Sequence, residues 1–199
     1  MLDEPFTGLD APVRNRLGRE LRHLQQEVGL STVVVTHDAE EAALLADEII
    51  VIDEGRMLQA GTRESVFHAP ISPQVASLLG IVNAHRGRIV APGSVASNGA
   101  GIQAATGELA EGREVIWCVR PEQISICPDG QYSAILLDCI DLGSVRELTI
   151  ALGGTLELTV RTSESPRLRN GEAVSVDLAP EDISIWPSRD GVPAGLVAR

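Results

Sequence analysis

The 199-residue chain contains no lysine: all 16 of its basic side chains are arginine, against 28 acidic ones, for a formal net charge of −12. A phosphate-gripping P-loop needs a lysine that reaches the β- and γ-phosphates, so no register of this sequence holds one. The acidic balance argues against nonspecific attachment to nucleic acid or to an anionic membrane face, both of which want basic patches. It leaves open docking on a membrane protein. No run approaches the roughly 18 apolar residues of a membrane span, and no signal peptide is visible. Aromatic residues make up 3% of the chain, so Val, Leu and Ile must fill any core. The cysteines are Cys118, Cys127 and Cys139, an odd number without a CxxC pair. They read as buried free thiols in a reducing cytosol.

Apolar residues make up 44% of the chain, enough for a core. After "DEPFTGLD", the residues Val13, Leu17, Leu21, Leu24 and Val28 recur at helical spacing. Asp10 is placed to cap that helix, Pro12 fits its first turn and Gly29 its C-terminal stop. "STVVVTHD" reads as a fully buried strand. In "DAEEAALLADE", Asp38 and Glu41 have the spacing of a capping box. "EIIVIDEGRMLQAG" reads as a hairpin around Glu54-Gly55. "TRESVFHAP" and "PQVASLLG" read as two short helices. Residues 1–80 thus follow the pattern that ends an α/β domain.

From Asn83 the pattern becomes short strand-like runs separated by Gly, Pro, Asn and Asp, which predicts a small all-β barrel or sandwich over 83–187. Residues 188–199 read as a loose tail. Within the β region, "VIWCVRPEQISICP" (115–128) aligns without gaps to "VSVDLAPEDISIWP" (174–187), with seven identities in fourteen positions. The repeat predicts two similar β units in one body, each copy a hairpin turning at Pro-Glu. Ile124 and Ile126 would match Ile183 and Ile185, pointing into a core. Glu122 and Glu181 sit at the turns, suited to caps or domain contacts.

Two stretches carry chemistry. An apolar run ending in Asp3-Glu4 places two carboxylates at the carboxyl end of a strand, where ligands of α/β folds sit. A hard oxygen ligand there suits Mg²⁺ carrying nucleotide phosphates, and a neighbouring carboxylate can take a proton from an attacking water. In "VVVTHDAEEA" a strand delivers His37 just before a helix N-terminus, a place suited to a γ-phosphate.

Taken together, "LDEPFTGLD", a helix, and "VVVTHDAEEA..LADEIIVIDEGRMLQAGT" closely resemble the ATPase subunits of ABC transporters. The resemblance implies Asp3 as the Walker B carboxylate on Mg²⁺ and Glu4 as the catalytic base. It implies "TGLD", ending at Asp10, as the D-loop in contact with nucleotide, and His37 as the switch histidine that senses the γ-phosphate of ATP. "LLGIVNAHRGRI" and "VRPEQISI" resemble the TOBE appendage of importers of the maltose, polyamine, sulfate, molybdate and ferric group. The implied fold is the C-terminal half of a P-loop ATPase core, residues 1–80, followed by an OB-like TOBE domain, residues 83–187. The implied setting is cytoplasmic, on the inner face of the cell membrane. The implied partners are membrane permease subunits, a second ATPase subunit in a homodimer and, indirectly, a periplasmic or extracellular solute-binding protein, with no nucleic acid.

The family's P-loop, Gln loop, helical subdomain and Ser-Gly-Gly signature are absent, so a chain begun at an internal Met and inactive alone is expected. A natural short protein is the alternative. An oxyanion-sensing TOBE module using Arg86, Arg88, Arg120 and Arg146 as donors is the alternative reading, whereas the β appendage and the negative charge argue against a soluble ABC ATPase outside transport. "DISIWP" and "WCVRPE" resemble the sulfate, molybdate and ferric branch more than the sugar branch.

Overall fold

A computed structural model describes residues 1–163 and 168–188. Apart from Ser188, the tail expected over 188–199 lies outside the described residues. The chain divides into two compact units, Met1–Pro70 with Leu78–Gly80, and Ile71–Ser77 with the chain from Ile81 onward.

In the first unit, strand β1 (Leu2–Asp3) pairs in parallel with β2 (Val34–Val35). Between them runs helix α1 (Ala11–Val28), capped by the Asp10 carboxylate, which accepts from the Val13 N–H at 3.0 Å, and stopped by Gly29 at φ 66°. Gly18 is its one buried residue, because a Cβ there would overlap Leu44. Leu44 belongs to helix α2 (Ala39–Leu45). The predicted apolar stripe is only half used: Leu24 is 48% and Val28 59% exposed. The expectation of a fully buried strand at "STVVVTHD" is also corrected, since Val33 is 63% and Val35 43% exposed. A two-stranded parallel sheet lacks the cover on both faces that buries such strands.

Asp38 caps α2, accepting from the N–H groups of Glu40 (2.8 Å) and Glu41 (3.3 Å). The reciprocal half of the expected capping box is replaced. The Asp38 N–H donates to Thr36 Oγ1 at 3.1 Å, and Glu41 accepts the Thr36 hydroxyl at 2.7 Å. Strands β3 (Glu48–Asp53) and β4 (Arg56–Thr62) form the expected hairpin. Glu54 and Gly55 both take positive φ, 47° and 74°, as a type I′ turn requires. Helices α3 (Arg63–His68) and α4 (Pro73–Leu78) follow.

Besides the residues of α4, the described part of the second unit carries two five-stranded sheets. Its strands are β5 (Asn83–Ala91), β6 (Ser94–Ser97), β7 (Ala100–Gln103), β8 (Glu114–Val119), β9 (Ile124–Ile126), β10 (Tyr132–Asp141), β11 (Arg146–Leu152), β12 (Leu156–Thr162), β13 (Ala173–Leu178) and β14 (Ser184–Pro187). The sheet orders are β12-β11-β10-β13-β9 and β14-β8-β5-β6-β7. The repeated segments are therefore not hairpins. After β8 a 3₁₀ turn at Pro121–Gln123 sends β9 into the sheet of the other repeat, and after β13 the turn at Pro180–Asp182 returns β14 to the first.

The exchange is symmetric in register. Ile126 lies opposite Val176 and Ile185 opposite Trp117, the same contact once the repeats are superposed. The equivalent residues Gln123 and Asp182 meet each other, the amide Nε2 donating to Oδ1 at 2.8 Å, as expected where a pseudo-twofold axis passes. The equivalence reaches further than the fourteen aligned residues. Gly112 and Gly171 donate to the carbonyls of Ile89 (2.8 Å) and Leu136 (2.7 Å), and Gly87 opposite Val115 matches Ala134 opposite Val174.

One core unites both repeats. It includes Ile89, Val95, Ile102, Trp117, Ile124, Leu136, Leu148, Ile150, Leu158, Val176 and Ile183, with Ile126 and Ile185 packed partly buried against it. The Asn83 side chain joins β5 to β12, donating to the Thr159 carbonyl and accepting its N–H, both at 2.7 Å. Cys118 is buried, and burial pushes its thiol up to about 12. Cys127 and Cys139, expected buried, are half-buried, and all three are free.

His85 lies opposite Trp117 with ring centroids 5.2 Å apart, and neither of its nitrogens has a hydrogen-bond partner among the described residues. Burial lowers its pKa from 6.5 to about 4. The folded chain thus keeps His85 neutral while the unfolded chain protonates it, so stability falls as pH drops from 6.5 toward 4 and levels off below. The full span corresponds to about 3 kcal/mol at ~1.4 kcal/mol per pH unit. Both tryptophans, Trp117 and Trp186, lie in this unit, so tryptophan fluorescence reports its unfolding. Denaturant midpoints should decline across that pH window, and His85→Phe should flatten the decline. An unchanged slope in the variant would remove His85 as its cause.

Candidate functional site

The two stretches with chemical potential meet in the first unit. Because β1 and β2 run parallel, with Asp3 opposite Val35, both deliver their carboxyl ends to one edge. The Glu4 N–H donates to the Val35 carbonyl at 2.8 Å, which fixes Glu4 one residue beyond the strand. There Glu4 adopts φ 45°, a left-handed backbone unusual for a non-glycine residue. Strain of this kind persists only where its surroundings hold it, and it clusters at functional positions.

Both Glu4 carboxylate oxygens are engaged. Oε1 accepts the His37 backbone N–H at 3.1 Å and faces His37 Nδ1 at 2.8 Å, while Oε2 accepts the Thr7 hydroxyl at 3.1 Å. The hydrogen bond from His37 is the main reason that Glu4 is held below its ordinary 4.5. The same bond is the main cause of the raised His37 pKa, against an ordinary 6.5. The pair therefore favours carboxylate with imidazolium. With Nδ1 committed to Glu4, Nε2 is the nitrogen left to donate outward, and the His37 side chain is 82% exposed.

Asp3 is exposed at the same strand end. A single accessible carboxylate fits Mg²⁺, which binds through one or two carboxylates and takes its other ligands from water and substrate phosphates. No group of three His, Cys, Asp or Glu gathers into a metal cage among the described residues. Asp10 lies at the head of α1 with its Oδ1 committed to the helix cap. Sequence reasoning missed Thr7 and Arg14. Arg14 Nη1 donates to Asp38 Oδ2 at 2.8 Å and so clamps α1 to the residue that follows His37. The only sequence signal for Thr7 is its place three residues after Glu4, at the head of the D-loop stretch.

The four arginines weighed as oxyanion donors are not gathered into one site. Arg88 pairs with Glu114, and Arg146 with Asp141 at 3.2 Å. Arg120 is half-buried, with its pKa lowered chiefly by that burial. Arg86 remains exposed on β5.

Residues 117–186, spanning both exchanged strands, match the TOBE domain family. The chain is 32% identical over 188 residues to the spermidine/putrescine import ATP-binding protein PotA of Borrelia garinii subsp. bavariensis, covering 93% of this chain and 53% of that protein. It is 43% identical over 130 residues to the sulfate/thiosulfate import ATP-binding protein CysA of Xanthomonas campestris pv. campestris, covering 65% of this chain and 37% of that protein. The chain thus spans about half the length, or less, of these curated relatives. A crystal structure of the cytoplasmic molybdate-binding protein ModG aligns at TM-score 0.49 and 16% identity, over 55% of this chain and 98% of that one. Residues 117–186 thus carry the TOBE domain match, and the chain as a whole is similar to the matched parts of two import ATP-binding proteins.

Proposed function

We propose that residues 1–80 form the hydrolytic edge of an ATP-driven importer subunit, and residues 83–187 its TOBE domain. The observation that carries this reading is the Glu4–His37 contact of 2.8 Å at the adjoining ends of two parallel strands. Glu4, held ionised, is the base that takes a proton from the attacking water. His37 keeps Glu4 oriented through Nδ1 and turns Nε2 toward the γ-phosphate. Asp3 would hold Mg²⁺, which when bound with ATP neutralises phosphate charge. Asp10 ends the D-loop and caps the helix that follows through Oδ1, and its other carboxylate oxygen would contact nucleotide.

The complete assembly would be a homodimer of such subunits on membrane permease subunits at the cytoplasmic face, fed indirectly by a solute-binding protein. Among the described residues no helix is long and apolar enough to cross a membrane. The relatives' names divide between a polyamine and an oxyanion, so the solute class is a small ion. We favour an oxyanion or metal on the likeness of "DISIWP" and "WCVRPE".

The chain supplies a base and one metal contact but no phosphate grip. Isothermal titration of residues 1–199 with Mg-ATP should show no micromolar binding, and no ATPase should be measurable. Fusion to a P-loop half from a relative should restore turnover. Micromolar affinity in the chain alone would overturn this division of labour.

A further inference from the structure

The outer face of the first β repeat carries a cavity of about 450 Å³ lined by Arg86, Gly112, Arg113, Glu114, Val115 and Ser188. Its frame is regular: Arg88 lies opposite Glu114 between β5 and β8, and the Ser188 N–H donates to the Glu114 carbonyl at 2.9 Å. The three strands β5, β8 and β14 thus present one row across the sheet. Glu114 is neutralised by its ion pair with Arg88. The Ser97 hydroxyl donates to the Arg86 carbonyl at 2.6 Å, but no ion pair or hydrogen bond engages the guanidinium of Arg86 or of Arg113 among the described residues. Two arginines therefore line one cavity with no carboxylate of their own among the described residues, in a chain of net charge −12 where acceptors are plentiful.

The pseudo-twofold supplies an internal control. The positions equivalent to Arg86 and Arg113 in the second repeat are Ser133 and Glu172, by the register of β5 on β8 and of β10 on β13. The same scaffold folds there with a neutral and an acidic side chain, so packing does not demand the arginines.

We propose that this cavity binds a small organic anion with a phosphate or carboxylate head. The two forks would grip the head by charge-assisted, bidentate hydrogen bonds. The Ser188 hydroxyl and the free lone pairs of Glu114 would take hydroxyl groups of its body. The size argues for more than a bare tetrahedral oxyanion, because ligand cavities in the range of about 300–1,000 Å³ suit whole small molecules. The site lies in the second unit and uses none of the residues assigned to the nucleotide edge.

The test is titration calorimetry on the full chain with citrate, glucose 6-phosphate, inorganic phosphate and, as a neutral control, glucose. Saturable submillimolar binding of citrate or of glucose 6-phosphate is expected, and which of the two binds identifies the head group. Arg86→Gln and Arg113→Gln should each weaken it about tenfold or more, the cost of one hydrogen bond to a charged group. Both side chains are exposed, so thermal midpoints should stay unchanged. No saturable binding of either organic anion, or binding indifferent to both substitutions, would overturn the site. Inorganic phosphate bound as tightly as the organic anions, or glucose as tightly as its phosphate, would overturn the assigned ligand class.

Discussion

Replacing Glu4 by Gln in the complete subunit is expected to lower ATP turnover by ~10²–10⁴-fold, the usual cost of losing a general base, while Mg-ATP binding persists. The reasoning starts from the contacts. Glu4 Oε1 is held twice by His37 and Oε2 once by Thr7, so the carboxylate has one orientation at the strand end. Glutamine preserves the shape and can still accept the His37 N–H, so the fold of the edge should survive. What it cannot do is take a proton from water. His37→Ala should also cripple turnover with binding largely kept, because it removes both the orienting bond at Nδ1 and the outward donor Nε2. Thr7→Val, which removes only the third bond, should cost far less. ATPase rates and nucleotide affinities measured side by side check all three. A Glu4→Gln enzyme hydrolysing at the normal rate would end the assignment of the base.

The second large effect concerns the strand exchange. Ile124 is 2% and Ile183 5% exposed, each on a strand or turn that has crossed into the other repeat's sheet. Ile124→Asp or Ile183→Asp buries a carboxylate without a partner and removes an isoleucine from the shared core. The expected loss is on the order of 4 kcal/mol or more, at the upper end of single substitutions. Because each repeat closes the other's sheet, either substitution should abolish the tryptophan-reported transition of the whole β unit. Ile126→Asp and Ile185→Asp, at partly buried positions, should lower the same transition by less. Residues 83–199 produced alone should unfold in one step. Two separable transitions, one per repeat, would contradict the exchange.

Much of this was legible in the sequence because it is local. Helix caps at Asp10 and Asp38, the stop at Gly29 and the turn at Glu54-Gly55 depend on a few neighbouring residues and their backbone angles. The repeat and the unlike halves of the chain are likewise patterns of spacing. The absence of lysine excludes a P-loop by chemistry alone. The pairing of Glu4 with His37 could be anticipated only as two strand ends on one edge, since the parallel register of β1 and β2 joins residues 33 positions apart. The exchange of β9 and β14 had no local signal: a strand, a Pro-Glu turn and a second strand look the same whether the second folds back or crosses over. The 3₁₀ turns and the two-sided burial of β8 decide it, because Ile116 and Cys118 on one face and Val115 and Trp117 on the other all need cover. The exposure of Leu24, Val28, Val33 and Val35 was hidden for the same reason: periodicity shows which face of an element is apolar, and only the packing partners present decide whether that face is covered.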